Sequence, residues 1–194
     1  MADYTIISSV SRSILKLLEE KMVPQVLRNA ESIALSSPEE KGNMQLYVYL
    51  YNIAECRELA QDNQRYGLGS YMQGQDSRFL YLHYLFTASS SSEIQYRALE
   101  EQNILGKVVQ IFNDYHSLVV PDFSGQNRPP ERGIPISMIN LTQNEISKIW
   151  SGLQLKHRLA LFYRVGPVEL ESEHLTPIAR VVDADFTVGE NDII

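Results

Sequence analysis

The groups in this chain with the reactivity for catalysis or metal binding are one cysteine, four histidines and scattered carboxylates. Their spacing decides what they can do. A cysteine nucleophile needs a base beside it, and nothing in the sequence places a histidine next to Cys56. His83, His116, His157 and His174 show none of the close pairings that metal ligation requires. His83 lies inside an apolar run and reads as a packed or surface-facing imidazole. Asp114 and His116 adjoin a helix end, where capping or turn formation is the default role. Gly67-Leu-Gly69 has Met72 where a dinucleotide loop carries its third glycine, and it leads into a strand rather than a helix. It reads as a flexible turn. No Gly-x-x-x-x-Gly-Lys-Ser/Thr phosphate loop occurs. The reading is therefore of no catalytic residue, no cofactor and no metal, so function has to be sought in surfaces.

Composition bounds those surfaces. The 194 residues suffice for one domain with a real core. No apolar run approaches the roughly 18 residues that suggest a membrane span, so no direct membrane insertion is expected. The N-terminus has no basic stretch followed by a hydrophobic one, which implies synthesis in the cytoplasm. A lone cysteine suits a reducing compartment. The net charge of −7 is uneven: Glu173, Asp183, Asp185, Glu190 and Asp192 face only Arg180, so residues 173–194 carry four of the seven charges. Neither portion has the concentrated basic surface that phosphate neutralisation demands, and nucleic-acid binding is not expected.

The elements that would hold such surfaces follow from periodicity. Asp3 is placed to cap a helix with Ile7, Val10, Ile14, Leu17 and Leu18 at helical spacing, closed by Met22 and Pro24. Glu31–Ser36 reads as a short strand and Pro38–Gly42 as a turn. Met44–Ile53 is the next strand, giving a hairpin. In that strand Met44, Leu46, Val48 and Leu50 alternate with Gln45, Tyr47, Tyr49 and Tyr51. One face is thus aliphatic, and the other is a tyrosine face suited to packing under a helix or against another protein. A polar segment runs from Ala54 to Asp76, then Arg78–Thr87 forms a second apolar strand. Ser92 and Gln95 have capping-box spacing before a helix striped with Leu105, Val108, Val109 and Phe112. A second long loop covers His116–Arg132, and Ile134–Leu141 reads as a strand. Thr142 and Glu145 open a short helix faced by Ile146, Ile149, Trp150 and Leu153. Leu159–Ser172 reads as a strand kinked at Gly166-Pro167, and Thr176–Val188 as one more strand candidate. The order implies an α+β domain over residues 1–172 with a largely antiparallel sheet covered by helices. Residues 173–194 read either as a solvated end or as a docking strand.

Several of these pieces, in this order, resemble the cap or tail-terminator family of phage-tail-like contractile injection systems, whose conserved region was long catalogued as a domain of unknown function. The opening Tyr4-Thr-Ile-Ile-Ser-Ser-Val-Ser-Arg-Ser-Ile-Leu resembles its first helix. Ser36-Ser-Pro38 with Gln45-Leu-Tyr-Val-Tyr-Leu-Tyr-Asn-Ile53 resembles its central hairpin, and Ala54-Glu-Cys-Arg57 the element that follows. Phe79–Ala88 is similar to its leucine- and tyrosine-rich strand. Ile149-Trp-Ser-Gly-Leu153 and Leu161–Val168 are similar to its closing helix and strand.

The resemblance implies a tail-terminator-like fold and a non-enzymatic role: a homo-hexameric ring that ends polymerisation of the inner tube, the sheath or both, and holds the distal end. Another structural or adaptor component of the same particle is the alternative, followed by a soluble enzyme or small-molecule binder. Such a protein would assemble in the bacterial cytoplasm and then belong to the particle. A ring subunit needs two heterologous flanks and an axial face. The loops and the acidic segment are their natural suppliers. The candidate interface residues are Arg57, Tyr66, Tyr71 and Arg78 in and around the first loop and Phe123 and Arg132 in the second. Ile178, Arg180, Val182 and Phe186 are those in the acidic segment. Arg57 is expected in a buried or interfacial ion pair, or else as a solvated strand-end residue.

Overall fold

The computed structural model describes residues 4–40, 42, 44–59, 78–120 and 133–170. Helix α1 spans Ile6–Met22 and buries Val10, Ile14, Leu18 and Met22 on one face, a spacing of four that matches one stripe of an α-helix. Thr5 stands at its N-terminus without a side-chain cap bond; Asp3, the expected cap, lies outside the described residues. The helix ends at Met22, ahead of a cis Val23–Pro24 bond.

The six strands are β1 (Ile33–Leu35), β2 (Leu46–Glu55), β3 (Arg78–Ala88), β4 (Ser117–Leu118), β5 (Ile134–Met138) and β6 (Ala160–Leu170). They form one sheet in the order β1-β2-β3-β6-β5-β4. Every pairing is antiparallel except β1 with β2, which are parallel through Ile33↔Leu46 and Leu35↔Val48. The expected hairpin is therefore wrong in direction. Parallel pairing ordinarily needs a long crossover, but β1 is only three residues long, so a short return path carries the chain from its end back to its start. Gln45 N–H donating to Ser32 C=O at 2.8 Å opens that parallel register.

Other boundaries shift for local reasons. Ala30–Ser32 forms a 3₁₀ turn rather than strand. Strand β2 continues to Glu55, two residues into the segment read as polar loop, because Ala54 and Glu55 still pair with Tyr81 and Leu80. The loop read from His116 opens instead with β4, paired to Ile134 and Pro135 of β5.

Helix α2 spans Ile94–Asp114 and α3 spans Gln143–Gly152. Strand parity sorts the sheet into two faces. Leu46, Val48, Leu82, Tyr84, Phe86, Tyr163 and Val165 pack with the buried stripes of α1 and α2 in the main core. Leu85 and Phe162, of opposite parity, pack with Trp150 and Leu153 below α3. The main core centres on Phe86, Phe112 and Tyr163, whose rings meet edge-on at 4.9–5.6 Å, a geometry favoured by the ring quadrupole. The expected α+β class, with a mostly antiparallel sheet covered by helices, is what the chain adopts.

In β6 the Gly166-Pro167 kink is a bulge: one residue of β3, Tyr81, faces two of β6 between the Leu80↔Val168 and Leu82↔Val165 pairs. Gly166 has φ +132°, and a Cβ there would lie 2.7 Å from the Leu80 carbonyl oxygen, so only glycine fits.

Candidate assembly surfaces

The tyrosine face of β2 is covered by α3. Tyr49 and Tyr51 flank the Trp150 cluster, and Tyr51 meets Phe162 edge-on at 5.9 Å. The helix is fixed there by a capping box: Thr142 N–H donates to Glu145 Oε2 at 2.8 Å, and Glu145 N–H to Thr142 Oγ1 at 3.4 Å. The Thr142 hydroxyl also donates to Glu145 Oε2 at 2.7 Å, and this bond first, then the one from Thr142 N–H, holds the Glu145 carboxyl below its ordinary pKa. The expected box at Ser92 does not form. Glu93 stands at the N-terminus of α2 without a side-chain cap bond, and the hydroxyls of Ser90 and Ser92 donate instead to the Glu100 carboxylate. That tie fastens the β3–α2 connection to the body of the helix.

Beyond α3 the same sheet face carries Tyr51, Tyr81, His83 and Arg164. The Arg164 guanidinium lies over the Tyr81 ring at 4.5 Å, and Tyr51 meets His83 at 6.0 Å. Burial, and then the Arg164 charge, lowers the His83 pKa. Cys56 is buried, its N–H donating to Phe79 C=O at 2.7 Å. Its side-chain neighbour is Tyr81, whose pKa rises chiefly through the hydrogen bond with the thiol. A tyrosine hydroxyl is not the base that a thiol nucleophile needs. Among the described residues no group of His, Cys, Asp and Glu is placed to hold a metal ion.

The Cys56–Phe79 bond brings two of the candidate interface residues together, since Arg57 and Arg78 flank it. Both are exposed, so Arg57 is not in a buried ion pair. Tyr66, Tyr71, Phe123, Arg132, Ile178, Arg180, Val182 and Phe186 lie outside the described residues.

Two surfaces escaped the sequence reading. The first ten residues of α2 bury no side chain, and Ile94, Tyr96 and Leu99 are 86%, 58% and 60% exposed. The signal was length: a helix of 21 residues overruns the sheet beneath it. The second is a groove of about 600 Å³ between α1 and β4, lined by Arg12, Lys16, Leu17, Tyr115, Leu118 and Val119 among others.

With this geometry in view, the sequence matches the family described as the Pvc16 N-terminal domain over residues 9–184. The chain belongs to that family. Its fold is similar to that of the PVC sheath/tube terminator of an extracellular contractile injection system in the extended state, with a TM-score of 0.59 at 15% identity over 99% of this chain and 67% of that one. It is also similar to the anti-feeding prophage cap, a tube-terminating cap, with a TM-score of 0.55 at 18% identity over 92% of this chain and 60% of that one. The chain thus spans between three fifths and two thirds of the length of those chains. A comparison with curated proteins finds no match. The family and fold are those that the ordered motifs from Tyr4 to Val168 implied. Among the described residues no helix is long and apolar enough to cross a membrane.

Proposed function

We propose that this chain is a terminator subunit of a contractile injection system. It is a non-enzymatic cap that closes into a ring of six on the last layer of the inner tube, the sheath or both, and so ends polymerisation. The observation that supports the reading is the likeness to a sheath/tube terminator over 99% of the chain, within a family matched over residues 9–184. Physical sense agrees. A subunit that docks on a growing end and presents no matching surface for the next layer stops growth by shape alone. Closure into a ring requires two different flanks on each copy.

The arginine end of the sheet, with Arg57 and Arg78, is proposed as part of the face toward the filament. The reading also places Tyr66, Tyr71, Phe123 and Arg132 at interfaces. Assembly in the cytoplasm and incorporation into the particle follow from the same role.

The test is to delete the chain from a producing system and measure tube and sheath lengths in electron micrographs. Lengths should broaden and distal ends should fray. A length distribution and end structure unchanged by the deletion would remove the terminator reading. Native mass spectrometry of the purified chain tests the count of six separately.

A further inference from the structure

Strand β4 is an edge of the sheet, and among the described residues it pairs on one side only. Its extended course outlasts its two paired residues. Leu118 and Val120 are buried in the main core while Ser117 and Val119 alternate outward, Val119 being 66% exposed. An open edge with alternating side chains is a template for one more strand. Helix α1 roofs that template, and the groove between them carries Leu17, Leu118 and Val119 as its apolar floor. Arg12 and Lys16 stand on its rim with Glu20, and Lys21 lies 4.8 Å from the Tyr115 ring at its end. Lys16 is paired with Glu20 at 3.9 Å, so the described lining is net positive by one charge, on a chain of net charge −7.

The same sequence contains a segment of complementary character. From Val182 to Val188, apolar Val182, Ala184, Phe186 and Val188 alternate strictly with Asp183, Asp185 and Thr187. Such a segment has an apolar side for the groove, a full set of backbone donors and acceptors for the edge, and the negative charge that a net positive rim attracts. We propose that residues 182–188 of one copy add as a strand to the β4 edge of the neighbouring copy, under α1. This deepens the ring reading and rests on it. The segment is one flank of the subunit and the β4 groove is the other, two unlike surfaces that close head to tail.

The test uses the full chain with the photoreactive residue benzoylphenylalanine in place of Val119, mixed with an equal amount of heavy-isotope-labelled wild-type chain, then illuminated and digested with trypsin. Cleavage after Arg180 releases residues 181–194 as one peptide, and its mass shows which copy it came from. Capture of the heavy peptide is expected. Lys16→Glu should lower its yield by up to about fivefold, as removal of an exposed charge pairing does, and Asp185→Lys on the heavy chain, read through the peptides 181–185 and 186–194 that trypsin then leaves, should restore part of the yield. Capture of the light peptide alone, or of other segments, or no capture, overturns the inference. Native mass spectrometry of the same mixture separates the two readings. A hexamer without the heavy 181–194 product leaves the ring standing and sinks the strand exchange, whereas a monomer yielding only the light product sinks both.

Discussion

Tyr84 shows at single-residue scale what the core demands. Its side chain is fully buried and its hydroxyl lies 2.8 Å from Ser11 Oγ. Burial pushes the phenol up to about 12, with the Ser11 hydrogen bond pulling the other way. In the unfolded chain the same group titrates near pH 10, as an ordinary tyrosine does. The folded state therefore holds the proton more tightly, so the contribution is whole below about pH 10 and is lost as pH rises through about 12. Two pH units correspond to about 2–3 kcal/mol. Urea titrations should show Tyr84→Phe losing less stability than wild type between about pH 8 and 11. An equal alkaline loss in the variant would assign the effect to other groups. Gly166 is constrained by backbone rather than by solvation. With φ at +132° and the Leu80 carbonyl in the way of any Cβ, Gly166→Ala should cost about 1–3 kcal/mol, visible as a lower urea midpoint with unchanged slope. A neutral outcome would mean that the bulge relaxes without loss.

At the scale of elements, what was legible followed from period and what was not followed from partners. Helices α1 and α3 were readable because Val10, Ile14 and Leu18, and then Ile146, Ile149, Trp150 and Leu153, recur on one face, and because Thr142-x-x-Glu145 is self-contained. The Ser92-x-x-Gln95 spacing is the same signal, yet the Glu100 carboxylate takes the Ser90 and Ser92 hydroxyls. A residue two turns further along competes for the cap, and no local pattern reports it. The parallel pairing of β1 and β2 was hidden for a similar reason, since two short runs around a turn look alike whether the chain reverses or returns. The α1–β4 groove needs the order of six strands before it exists at all. Thr142 allows a quantitative check on the readable part. Thr142→Ala should cost about 1 kcal/mol and free the Glu145 carboxyl toward its ordinary pKa. Because Glu145 is held below that value when folded, its contribution is present above the unfolded pKa and lost as pH falls through the folded one. The variant should accordingly show a flatter acid limb in thermal melts from about pH 6 to 3. An unchanged limb would detach the box from α3 stability.

For the whole molecule, the distribution of surfaces along β3 matters more than any one of them. Arg78 begins the strand beside Arg57, whereas the overhang of α2, with Ile94, Tyr96 and Leu99, follows its far end. The two ends of the sheet are thus chemically different: one exposes Arg57 and Arg78 beside Glu55, Glu58 and Glu169, and the other exposes Ile94, Tyr96 and Leu99. A subunit that must recognise a filament end on one side and leave the other side unextended needs that difference. If the arginine end faces the filament, as proposed, charge reversal there should separate docking from ring closure. Arg57→Glu with Arg78→Glu should leave the thermal midpoint near wild type, because both side chains are exposed, and should leave the proposed hexamer intact in native mass spectrometry. Capture of purified tube or sheath ends should weaken by about tenfold at low salt, with the gap closing as salt screens the charges. Loss of the hexamer together with docking would move the arginines from the axial face to a flank. Undiminished capture at low salt would take them out of the interface, and the filament contact would then have to be sought at the apolar end, where Leu99→Asp is the corresponding probe.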